Sequence, residues 1–187
     1  MLEKIEAIQD ALECENYLPA LALALTLPDI CGQIEYPQKG KRNIRKQYAT
    51  WFDEWVNQYY EDGTGWIENY SKAKNPYFTG DMCYDLRCAF FHSGNTEIKP
   101  FGGEEDNEFK YSYEFSLSVG EVEMFGASWD NTVLRGNTKR IKTEEARISI
   151  NKLCERICRA AKKYYQERPC HLFKEHQIKY IDLSSKG

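Results

Sequence analysis

The 187-residue chain is short of several things, and each shortage narrows what it can be. Histidine is scarce: His92, His171 and His176 are the only side chains with ordinary titration near neutral pH. No basic run followed by an apolar run opens the chain, so a secretory leader is not expected. Long hydrophobic runs are missing too. The longest, Leu18 to Leu27, is too short for a membrane span, carries Pro19 and runs into Pro28. Internal repeats and low-complexity segments are absent. Cysteine is not rare, but seven is an odd number and the expected compartment is reducing, so free and largely buried thiols are expected. The expectation is a cytoplasmic protein without a membrane segment. It forms one domain over residues 1–187, whose 42% hydrophobic content suffices for a core.

Periodicity supplies the elements. Leu2, Ile5, Ile8 and Leu12 share one face of a first helix ending near Cys14. A second helix runs from Leu18 to about Ile34, with Pro28 bending or restarting it; alanine in Leu21 to Leu25 argues against a strand. The third is the clearest: Ile44, Tyr48, Trp51, Phe52, Trp55, Val56 and Tyr59 fall on one stripe, with Lys41, Arg42, Arg45 and Lys46 opposite its start. After a loop over 61–78, a fourth helix occupies Thr79 to Gly94. Phe109 to Val119 then alternates apolar and polar residues, which is a strand with one wet face. Val122 to Ser128 reads as its return and Thr132 to Arg135 as a third strand. Thr143 is the expected cap of a long last helix to about Glu167, stopped by Pro169, and a short strand over Ile178 to Leu183 closes the tail. The fold class expected is mainly α: a bundle of about five helices from residues 1–94 and 143–167. A small antiparallel β meander over 98–140 precedes the last long helix, and 168–187 form the tail.

Net charge is −4, but it is divided unevenly: residues 1–134 carry −12 and residues 135–187 carry +8. A basic last third suits one surface facing a polyanion. Arg135, Lys139, Arg140, Arg156, Arg159, Lys162 and Lys163 are its candidate RNA contacts. Trp51, Trp55 and Tyr59 could stack bases, although aromatics at helical spacing more often fill a core.

The stretch Thr79 to Gly94 holds the candidate chemistry. Thr79 can cap its first turn, Asp81 suits the positive end of the dipole, and Ser93-Gly94 allows a left-handed stop. Between those ends the helix is apolar on most sides, so Asp85 and Arg87 need partners or a purpose. Arg87 and His92 are spaced Arg-x-x-x-x-His, and an Arg four to six residues before a His is expected about 0.4 times by chance in such a composition. Metal-free RNA cleavage needs a base for the 2′-hydroxyl, an acid for the leaving oxygen and positive charge at the phosphorane. Histidine can carry the proton and arginine's planar donors match phosphate oxygens. On a regular α-helix, residues five apart are separated by roughly 140° and 7.5 Å. Arg87 and His92 are therefore expected to face apart, and to need a second copy to complete one groove. Asp85 is expected to pair with another side chain rather than with His92. The bland alternative is that Arg87 pairs with an acid of a neighbouring helix and His92 caps the helix end. A metal site built on Cys83, Cys88 and His92 lacks a second ligand pair, so no metal and no cofactor is expected.

On Arg87, His92 and Gly94, placed late on a helix of such a bundle, the chain resembles the HEPN superfamily. These are helical-bundle proteins acting mostly as metal-independent ribonucleases in toxin-antitoxin, CRISPR and abortive-infection systems. The resemblance implies a homodimer whose cleft cuts RNA, with Arg87 and His92 catalytic; Tyr84, Asp85 and Ser93 are the candidate helpers on the same helix. It also implies an antitoxin or other protein partner, or else an inactive module that binds RNA, a nucleotide or a protein. Where the family often has a polar residue after its arginine, this chain has Cys88.

Overall fold

A computed structural model describes residues 1–37, 43–98, 108–130 and 140–176. The described chain is mainly helical, with one small sheet. Helix α1 (Leu2–Glu13) turns Ile5 and Ile8 into the core and leaves Leu2 exposed. The next apolar run divides into α2 (Tyr17–Ala24) and α3 (Leu27–Glu35), because Pro28 falls in the first turn of α3 and restarts the helix. Tyr17–Glu35 is the one described stretch apolar and long enough on average to cross a membrane, and 44% of it is buried inside the molecule.

Helix α4 (Ile44–Trp55) is the axis of the bundle. Asn43 caps it by accepting from the Lys46 amide at 3.1 Å, and Tyr48, Trp51 and Phe52 are fully buried. Trp51 is therefore a core residue. A 3₁₀ turn (Asn57–Tyr59) and a short α5 (Trp66–Tyr70) lead to α6 (Gly80–Cys88). Two glycines decide how closely the neighbours approach α4. A Cβ on Gly32 of α3 would lie 2.5 Å from the Gln47 carbonyl oxygen, and one on Gly80 of α6 would lie 2.3 Å from that of Ala49. Both helices thus press their backbones onto α4, where a larger residue would hold them off.

The sheet departs from the expected meander. Strands β1 (Phe109–Ser118), β2 (Met124–Asp130) and β3 (Arg140–Ser149) lie in the order β1-β3-β2, with β3 parallel to β1 and antiparallel to β2. The third strand expected at Thr132 to Arg135, like that at Ile178 to Leu183, lies outside the described residues. The central strand β3 occupies the residues expected to begin the last helix. Its inward positions are Lys142, Glu144, Ala146 and Ile148, so two charged residues hid an alternation with a period of two. Both charges are satisfied: Lys142 donates to the Tyr70 carbonyl, and Glu144 accepts from the Ser71 hydroxyl at 2.6 Å and the Lys72 amide at 2.7 Å. Thr143 is therefore no cap. Ser149 caps α7 (Ile150–Glu167), accepting from the Lys152 amide at 3.2 Å. Leu153, Cys154, Ile157, Cys158, Ala161 and Tyr164 of α7 join the core, and a 3₁₀ segment (Cys170–His176) places Phe173 against Tyr164 and Tyr165. All seven cysteines are free thiols; Cys31, Cys83, Cys154 and Cys158 are buried, Cys88 is half-buried, and Cys14 and Cys170 are exposed.

Candidate active site

Helix α6 begins as its sequence requires: Thr79 accepts from the Met82 amide, and Asp53 of α4 accepts from the Gly80 amide at 2.6 Å. Its end is less ordinary. After Cys88 the backbone widens into one π turn (Ala89–Ser93), closed by Gly94 in the left-handed region at φ 64°.

That turn overturns the expectation that Arg87 and His92 face apart. A π turn hydrogen-bonds residues five apart, so it brings together side chains that a regular α-helix separates. Arg87 Nη1 lies 3.3 Å from His92 Nε2 within a single chain. A guanidinium has donors only, so in a hydrogen bond between the two it is Nε2 that accepts. No second copy is needed to bring the pair together.

Asp29 was absent from the expected site. Its Oδ2 accepts from Arg87 Nε at 3.1 Å, with Arg87 about a quarter exposed and Asp29 less. The pair forms because α3 and α6 both lie close on α4 at Gly32 and Gly80. A signal for it existed, since Asp29 is the only charge between Tyr17 and Ile34, as Arg87 is the odd cation in its own apolar helix. Burial pushes the Asp29 carboxyl above its ordinary range, and Arg87 only partly reverses this. Burial also opposes the charge of Arg87, but the Asp29 carboxylate and then the Cys88 thiol together outweigh it and raise the guanidinium further. Asp29 Oδ1 is buried and accepts no hydrogen bond among the described residues.

The other expected helpers separate into two roles. Asp85 does pair elsewhere: it and Asp81 both hold Arg45 of α4, the latter at 2.8 Å. Arg45 in turn lies 5.0 Å over the Tyr84 ring, which packs edge-on against Tyr48 at 5.3 Å. Burial, then the Cys88 thiol, raises the Tyr84 phenol. These residues brace the helix. Ser93, by contrast, lines an open cavity of about 470 Å³ together with Asp85, Cys88, Ala89, His92 and Asn95. His92 therefore stands between this cavity and Arg87. Cys83 does not join them: its sulfur lies 3.3 Å from the Tyr48 hydroxyl in the core, and burial pushes its thiol up to about 12.

The basic candidates are dispersed. Arg135 and Lys139 lie outside the described residues, as do Lys41 and Arg42. Arg140 sits 3.7 Å from Glu108. Arg156 is largely buried, 2.7 Å from Glu123 and 4.6 Å over the Tyr60 ring, and so serves the fold rather than a ligand. Lys163 lies 3.9 Å from Glu167 and 5.8 Å over Trp55. Arg159 and Lys162 line a cleft of about 410 Å³ between α1 and α7, with Glu13 and Glu155 beside them. No family model, curated protein or solved structure matches this chain, so its chemistry is read from its own side chains.

Proposed function

We propose that the chain is a metal-independent endoribonuclease of HEPN type, a cytoplasmic effector of the toxin or phage-defence class. The observation that carries this is the π turn that sets Arg87 against His92 at the rim of an open cavity. With Nε committed to Asp29, Arg87 keeps Nη donors for phosphate oxygens and stabilises the charge of the phosphorane. His92 takes the proton of the 2′-hydroxyl or returns one to the leaving oxygen. One histidine carries one proton at a time, and cleavage needs both an acid and a base. A homodimer whose two α6 ends share a groove supplies the second histidine. Single-stranded or looped RNA is the substrate, since the 2′-hydroxyl must be free to attack in line.

Purified protein is expected to degrade single-stranded RNA in EDTA, and Arg87→Ala and His92→Ala to slow it about 100-fold while the chain stays folded. Undiminished cutting by both variants rejects the assignment. Toxicity on expression, relieved by His92→Ala, is the cheaper form of the same test.

A second reading is favoured by two contacts: Arg87 already meets Asp29 and the His92 ring, as a non-catalytic module would have it. Under that reading RNA stays intact and shifts in a gel in a salt-sensitive way.

A further inference from the structure

β2 is an outer strand of the sheet. Its inner side pairs with β3, and among the described residues no backbone group bonds to its outer side. Along that side runs an open cavity of about 650 Å³, bounded by residues 123–127 and by the loop at 61–66. Phe125 and Ala127 pair with the buried Ala146 and Glu144 and so point inward, whereas Met124 between their partners' rows is exposed. Lining residues thus come from both faces of the strand, which places the cavity along its edge. A bare outer strand is a template for another strand. Gly126 of β2 has no atom of the described residues within 4 Å of where a Cβ would stand, so the sheet face beside this edge is open there.

The walls state what would be seated there. Tyr77 stacks on Phe125 at 5.1 Å and Trp66 meets the same ring edge-on at 5.6 Å. At the rim, Glu61 is exposed and has no ion-pair partner among the described residues. Asp62 accepts from the Thr64 hydroxyl at 2.6 Å and the Ile67 amide at 2.9 Å, contacts that favour its ionised form. A second copy offering its own β2 would set these acids against their duplicates. A cationic chain neutralises them and can lay its charges over the aromatic rings.

We propose that the outer edge of β2 docks an extended, cationic segment of a partner protein. The segment adds as a strand and directs alternate Lys or Arg side chains toward Trp66, Tyr77, Glu61 and Asp62. This site is separate from Arg87 and His92 and stands whether or not the chain cuts RNA.

The test uses the full chain and four synthetic probes: a hexapeptide alternating Arg and Val, its Glu and Val counterpart, and two forms of the first peptide, N-methylated at its odd or at its even amides. Backbone amide resonances of 123–127 are expected to shift saturably with the Arg peptide alone. At least one N-methylated form should fail, and Glu61→Lys, on an exposed side chain, should weaken binding about fivefold. Equal binding of the Glu peptide, or binding by both N-methylated forms, overturns the proposal. So does a shift of the same amides on raising the protein concentration alone, which would make the occupant a second copy.

Discussion

The end of α6 and the face of α7 are both cationic, and they use their charges in opposite ways. On α7 the positive residues are numerous, and the structure uses several of them internally: Arg156 with Glu123, Lys163 with Glu167, and Arg168 just beyond the helix with Glu35 at 2.8 Å. Near the end of α6 there is one arginine and one histidine, and an irregular backbone turn sets them side by side, with His92 lining a cavity. Charge count marks a surface, while a site requires groups that converge.

The sharpest way to break this contrast is at its support. Gly80→Ala would drive a methyl group into the Ala49 backbone, so α6 must back away from α4. A loss of about 3 kcal/mol is expected in denaturant unfolding. If stability is unchanged, α6 does not depend on that close crossing. Next comes His92→Ala, expected to slow RNA cleavage by about 100-fold, or about 2.7 kcal/mol, in a single-turnover assay with no change in unfolding midpoint. Asp29→Asn removes the charge from a mostly buried pair and should cost about 2 kcal/mol of stability. Arg159→Ala and Lys162→Ala should each slow cleavage only about threefold, an effect that fades at high salt. Should either of these outweigh His92→Ala, the convergent pair is not the site and the α7 face is.

The smallest effect is in pH. The hydrogen bond from Arg168 holds the Glu35 carboxyl below its ordinary range, against the opposing effect of burial and with help from Tyr164. The folded chain therefore favours ionised Glu35. This contribution is complete above about pH 4.3, the ordinary glutamate value, and drains away as pH falls through the lower folded value. Urea midpoints measured between about pH 3 and pH 6 should fall toward acid, and Glu35→Gln should flatten that part of the curve.

Much of the bundle was legible because its signals are local. The stripe from Tyr48 to Val56, the Thr79 cap and the Gly94 stop each express a requirement within a few residues. The sheet was legible only in part. Phe109 to Ser118 advertises a half-buried strand, whereas Lys142 and Glu144 are buried by partners 72 residues away, so β3 looked like the start of a helix. Arg87 and His92 were identifiable as residues, but their meeting was not. Nothing in the composition of Ala89 to Ser93 announces a π turn, and the periodicity of a regular helix gave the wrong geometry. Asp29 fell between the two: its isolation was visible, its partner was not.

The widened turn also changes what counts as the same motif. A π turn is an α-helix that has accommodated one additional residue, so its flanking turns keep the alignment they would have had without it. Removing one residue between Cys88 and Phe91 would let the backbone relax to an ordinary helix, with the arginine and histidine four apart and again on one face. A chain with the shorter interval and no π turn could hold the same pair. The length of the gap is then a record of the backbone's winding, and a one-residue deletion here would keep the pair together where a substitution of either end would not.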